Sequence, residues 1–164
     1  MSHYMFIAAD FPLPERDYQR PQSIWIKAEG GFMVTETDEP DPDFMVQKAH
    51  ESLIEQVLTE KEFGYELCYD KLSLRGMREL AEYIKANLPP ASELELWSTW
   101  LGHDGDETRV EYWEVPLDKF SEADIEEWDS CRPWMPEYIE LKSYERQQEQ
   151  WIERLTQYCM IIKG

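Results

Sequence analysis

Long apolar runs, glycine-rich loops, paired cysteines and basic residues are what this 164-residue sequence lacks. Its longest apolar windows, Met5 to Ala9 and Tyr158 to Ile162, are strand-sized, far short of the roughly 18 residues of a membrane span. The N-terminus carries no basic head or long apolar core of a secretory leader and reads as a first strand. The seven glycines are scattered among turns, with no Gly-x-Gly-x-x-Gly and no Walker loop, so a phosphate-cradling loop is not expected. His-Glu-x-x-His, Gly-x-Ser-x-Gly and Cys-x-x-Cys are absent as well.

The three cysteines, Cys68, Cys131 and Cys159, suit neither a disulfide framework nor a zinc knuckle. They read as small apolar side chains of a protein in a reducing compartment, which places it in the cytoplasm. Cys131 alone has an adjacent cation, Arg132, but its surroundings form no recognisable nucleophile site.

Basic residues number 16 against 35 acidic, a net charge of −19. The excess is spread over the chain: residues 1–80 carry 8 bases and 16 acids, residues 81–164 carry 8 and 19. Such a surface repels phosphate backbones and anionic lipid heads, so neither nucleic acid nor membrane is an expected partner, whereas a basic protein or a cation is attracted.

What is present is enough for a self-standing core, with 42% hydrophobic and 13% aromatic residues in a length typical of one domain, taken as 1–164. Residues 3–9 read as a strand. Residues 23–28 and 31–36 flank Glu29-Gly30-Gly31 and read as a hairpin. Val46, Ala49, Leu53, Val57 and Leu58 recur at helical spacing behind the acidic linker 37–43, which predicts a helix over about 42–61, with Phe44-Met45-Val46 as an alternative short strand. Residues 63–69 alternate as a strand does. The stripe Leu74, Met77, Leu80, Ala81, Ile84 and Leu88, capped by Ser73 and stopped by Pro89-Pro90, predicts a helix over 73–88.

Residues 93–101 and 107–115 read as a hairpin that places Leu94, Leu96 and Trp100 on one face with Val110 and Tyr112. Its other face would carry Glu95, Trp97, Thr99, Arg109, Glu111 and Trp113, either covered or open. Ser121 with Asp124, and Phe120 with Ile125, form a capping box with a hydrophobic staple for a short helix to about Asp129. Residues 130–140 read as a loop, about 141 onward as a last helix, and Cys159 to Ile162 as a strand. The order β-β-β-α-β-α-β-β-α-α favours an α+β fold, an antiparallel or mixed sheet with about three to four helices packed mainly on one side.

The candidate metal site is the tip His103, Asp104 and Asp106, whose imidazole and carboxylates suit a hard cation, although the spacing is not that of an EF-hand and a solvated turn explains it as well. The acids Glu36, Asp38, Glu39, Asp41 and Asp43 read as a capped linker. His3, His50 and His103 are far apart in sequence, and His50 reads as structural. No cofactor is implied and no catalytic residue identified, so the balance tilts away from an enzyme.

Residues 104–129 contain 11 acids against Arg109 and Lys119, a local charge of −9, and are flanked by tryptophans. The expected contact residues are Trp97, Arg109, Glu111, Trp113, Glu122, Glu126 and Trp128, with carboxylates to steer a basic protein and indoles to anchor it. The leading expectation is a small interaction module, such as an inhibitor or immunity-type partner of a basic enzyme. The alternatives are an enzyme or small-ligand binder built from dispersed carboxylates, His and aromatics, and a structural subunit of a larger assembly.

Overall fold

The computed structural model describes residues 2–17, 24–28, 31–35, 43–55, 57, 59–69, 71–101, 110–131 and 157–164. Eight strands and three helices lie among these residues: β1 (Ser2–Ala9), β2 (Ile24–Ala28), β3 (Gly31–Thr35), β4 (Met45–Lys48), α1 (Glu51–Ile54), β5 (Phe63–Cys68), α2 (Leu74–Asn87), β6 (Glu93–Leu101), β7 (Val110–Pro116), α3 (Glu122–Ser130) and β8 (Gln157–Lys163). Six strands form one mixed sheet in the order β4-β5-β1-β6-β8-β7, and β2 pairs with β3 apart from it. Every neighbour in the large sheet is antiparallel except β7 and β8, which run parallel. The fold is α+β. No helix among the described residues is long and apolar enough to cross a membrane.

Alternation along the strands sends successive side chains to opposite faces and so divides the core in two. On the first face Ile7, Leu94, Leu96, Met160 and Ile162 meet Leu80, Ala81 and Ile84 of α2, and Ile125 and Trp128 of α3. On the second, Phe6, Ala8, Trp97 and Cys159 meet Ala49, Leu53, Ile54 and Val57. Gly64 lets α1 rest directly on β5, since a Cβ there would lie 2.8 Å from Ile54 Cγ1.

The helix over 73–88 forms as its stripe predicts, with the Ser73 hydroxyl accepting from the Gly76 N–H at 3.1 Å. The capping box also forms: the Asp124 carboxylate accepts from the Ser121 N–H at 2.8 Å and from its hydroxyl at 3.0 Å. Phe120 and Ile125 are both buried in the first core. The hairpin of β2 and β3 pairs Ala28 with Gly31.

Two expectations are corrected. Residues 42–61 are not one helix, because β4 occupies 45–48 and α1 only 51–54. Val46 belongs to the first core while Ala49, Leu53 and Val57 belong to the second, so the apparent helical stripe is the chain passing from one face to the other. The 93–115 hairpin does not form either, because β8 inserts between β6 and β7. The apolar run of β8 suits a strand covered on both faces, with Met160 and Ile162 in the first core and Cys159 in the second. The facing changes with it: Trp113 and Val115 join Leu94 and Leu96, whereas Val110 shares the face of Trp97. The last helix expected from about 141 lies outside the described residues.

Candidate functional site

The second face is where polar side chains gather. Pairing registers put Trp97 opposite Cys159 and Cys159 opposite Tyr112, with Glu95 opposite Ile161 and Ile161 opposite Glu114 in the next row, and Glu93 opposite Lys163 beyond. The 59–62 segment folds over these rows and is pinned there: the Glu62 N–H donates to Asp10 at 3.3 Å and the Lys61 N–H to the Thr59 hydroxyl at 3.1 Å.

The Lys61 side chain, only 11% exposed, donates to Asp10 at 2.9 Å and Glu93 at 2.6 Å. Burial works against its charge, but the two carboxylates outweigh burial and hold the ammonium above the ordinary lysine value. The same contact to Lys61 lowers Asp10, with burial opposing. Beside this bridge, Glu95 Oε2 accepts from the Thr59 hydroxyl and from the Trp97 indole N–H, each at 2.7 Å.

A cleft opens on both sides of the Lys61 bridge. One lobe, about 560 Å³, is lined by Asp10, Phe11, Lys61, Ala91, Ser92, Glu93, Lys163 and Gly164. The other, about 390 Å³, is lined by Asp10, Glu60, Lys61, Glu93, Glu95, Trp97 and Tyr112. Tyr112 stands edge-on to Trp97, ring centroids 5.9 Å apart, and is 56% exposed. Partial burial, then Cys159 and Glu95, raise its phenol, so it stays neutral.

The opposite side of β7 faces α3. Burial raises the Cys131 thiol, and Glu127 and Glu111 push it further. Charges on both the strand and the helix are thus felt at Cys131. Glu126 and Glu122 are exposed on α3, and Glu122 lies 3.8 Å from Arg78 of α2.

Placement of the expected contact residues is uneven. Glu111, Glu122 and Glu126 are at the surface, and Trp113 is half-buried against the first core. Trp97 and Trp128 are 1% and 0% exposed, so their indoles are core, not anchors. Arg109 lies outside the described residues, as do His103, Asp104 and Asp106. Among the described residues no group of three or more His, Cys, Asp or Glu side chains is placed to hold a metal ion. His50 caps α1, with Nδ1 accepting from the Ser52 N–H at 3.3 Å. The acids Glu36, Asp38, Glu39 and Asp41 also lie outside, while Asp43 accepts from Ser73 and from Arg75, at 2.7 Å from the latter.

Sequence reasoning missed Asp10, Glu60, Lys61, Glu93 and Tyr112 as a group. They come from four separate segments, and only the alternation of Glu93, Glu95 and Trp97 hinted that carboxylates share a face with an indole.

Chemically the cleft offers acceptors and an aromatic edge around a neutralised lysine. Lys61 is held as an ammonium between two carboxylates, and burial raises Cys68, Cys131 and Cys159 alike, which works against their thiolate forms. The arrangement suits holding a cation more than forming a covalent intermediate. No protein-family model matches the chain, and no curated protein or solved structure is significantly similar to it.

Proposed function

We propose that this protein is an interaction module that holds a basic protein partner, in the manner of an inhibitor or immunity-type partner of a basic enzyme. The observation that carries the reading is the distribution of acid around β7. Glu111 on the strand and Glu122, Glu126 and Glu127 on α3 are exposed, and Glu95, Glu93 and Asp10 line the cleft beside Tyr112 on the other side of the strand. A cationic surface approaching this strand finds carboxylates above and below it, with few bases to oppose it. With a net charge of −19 the long-range field points the same way. Nucleic acid and membrane surfaces are disfavoured by the same field. Three free thiols suit a cytoplasmic setting.

The anchoring role moves from the buried Trp97 and Trp128 to Tyr112 on the cleft face. Tyrosine gives contact area at low entropic cost and presents a ring edge and a hydroxyl to cationic groups.

The test is capture of basic proteins from lysate by wild type and by the Glu111→Lys/Glu126→Lys variant, at about 50 mM and about 500 mM salt. Retention of one basic protein by wild type at low salt, lost at high salt and in the variant, is the expected result. Retention that ignores both salt and charge reversal would sink the reading.

A second reading, a binder of a small organic cation, is favoured by the cleft itself, where Glu95 and Tyr112 suit an ammonium or guanidinium group. A thermal-shift series with arginine, agmatine and spermidine separates the two. A shift with these ligands that Glu95→Gln removes supports the small cation.

A further inference from the structure

We infer that the Lys61 ammonium is a tethered competitor in the cleft, so that a small guanidinium or ammonium ligand enters by displacing it; the inference rests on the small-cation reading above. Lys61 lines both lobes, as do Asp10 and Glu93, so the ammonium stands where the two lobes meet. Its Nζ lies 2.6 Å from Glu93 and 2.9 Å from Asp10, and the side chain is only 11% exposed. The cleft already holds one cation, delivered by its own chain.

Electrostatics decides between binding beside that ammonium and binding in its place. A second cation in either lobe lies close to Lys61, and like charges repel strongly in a partly buried site. Exchange avoids this, because one cation leaves as another arrives and Asp10 and Glu93 stay paired. The exchange is also easy. Both carboxylates are well exposed, 59% for Asp10 and 41% for Glu93, and ion pairs to exposed partners are weak. The second lobe adds groups that Lys61 does not use: Glu95, steadied by Thr59 and Trp97, and the exposed ring of Tyr112. A planar guanidinium can reach both of them.

Displacement requires only the side chain to move. The backbone around Lys61 stays pinned, since the Thr59 hydroxyl donates to Glu95 at 2.7 Å and the Glu62 N–H donates to Asp10 at 3.3 Å. The released ammonium swings on a flexible stem into solvent between Glu60 and Glu62, its exposed neighbours in sequence. A competitor of this kind lowers apparent affinity by the fraction of time it holds the position, so removing it tightens binding.

The experiment titrates agmatine calorimetrically into the full chain as wild type, Lys61→Gln and Lys163→Gln at about 50 mM salt. Lys163→Gln takes the same charge from the lining of the first lobe but leaves Lys61 in place. In wild type, a short acetylation pulse with and without agmatine is read by mass spectrometry as the ratio of Lys61 to the exposed Lys85, which cancels reagent consumed by the ligand. The expected result is binding about tenfold or more tighter for Lys61→Gln, a gain of no more than about threefold for Lys163→Gln, and a Lys61 ratio that rises with agmatine. An equal gain in both variants, no gain in Lys61→Gln, or a Lys61 ratio that falls with agmatine overturns the displacement and leaves the small-cation reading standing. Binding of agmatine by none of the three proteins overturns both.

Discussion

The two edge strands of the six-stranded sheet, β4 and β7, differ in what the described residues place against them. At β4 the edge is closed by the chain. Arg16 exchanges backbone bonds with Val46, lays its guanidinium 4.1 Å from the centre of the Phe44 ring, and pairs with Glu79 at 2.6 Å. Asp43, one residue before Phe44, is tied to α2 through Ser73 and Arg75. At β7 Glu114 pairs with Lys163 at 2.7 Å, and Glu111, Tyr112 and Pro116 are exposed. Among the described residues β4 is bonded on both sides, whereas β7 is bonded to β8 alone.

The contrast is broken most severely at the closed edge. Phe44 is fully buried, so Phe44→Ala is expected to cost ~3–5 kcal/mol, while Tyr112→Ala in β7, an exposed position, costs less than ~1 kcal/mol. Urea unfolding of both variants measures this, and equal costs would erase the distinction. Next in size is Gly76→Ala in α2. Helix propensity alone favours alanine by ~1 kcal/mol, yet a Cβ there would lie 2.6 Å from the Asp43 side chain. The expected outcome is a net loss of ~1–3 kcal/mol, and a gain would mean that the Asp43 contact yields easily.

A third prediction concerns β8, the strand between β6 and β7. Burial, then Glu95 and Glu93, raise the Cys159 thiol well above its ordinary value of 9.0. The unfolded chain ionises there while the folded chain keeps the proton. Stability is therefore full below that value and falls as pH rises through it, by up to ~1.4 kcal/mol per unit. Thermal melts from about pH 8 to about pH 10.5 should show this decline, less steep in Cys159→Val. Lys61 contributes in the same alkaline direction, since its folded value is also raised, so the difference between the two proteins isolates the thiol. The smallest effect on stability belongs to Glu111→Lys/Glu114→Lys. Both side chains are exposed, and the Glu114 to Lys163 pair is a surface one, so a change within ~0.5 kcal/mol is expected while binding of basic probes is lost.

Much of the local structure was legible because its signals are local. Ser73, the stripe of α2 and Pro89-Pro90 mark one helix from cap to stop, and Ser121 with Asp124 marks the start of another. The errors came from partners distant in sequence. Residues 93–101 and 110–116 do form strands, but nothing within them records that residues 157–163 pair between them. The run Cys159 to Ile162 held the clue, since continuous apolar character suits a strand covered on both faces. At 42–61 a periodicity of helical spacing arose from residues that serve two different cores. The cleft was least legible. A sequence with 35 acids does not reveal that Asp10, Glu93 and Glu95 meet around Lys61, because that depends on strand register and on a loop folded over the sheet.

The central claim, that acid on and around β7 holds a basic protein, is tested most directly by quantitative capture with wild type and Glu111→Lys/Glu114→Lys at low and high salt. The account predicts one basic protein retained by wild type at about 50 mM salt, released at about 500 mM, and not retained by the variant at either. Retention of the same protein by both at both salts, or no specific retention by wild type, would contradict it.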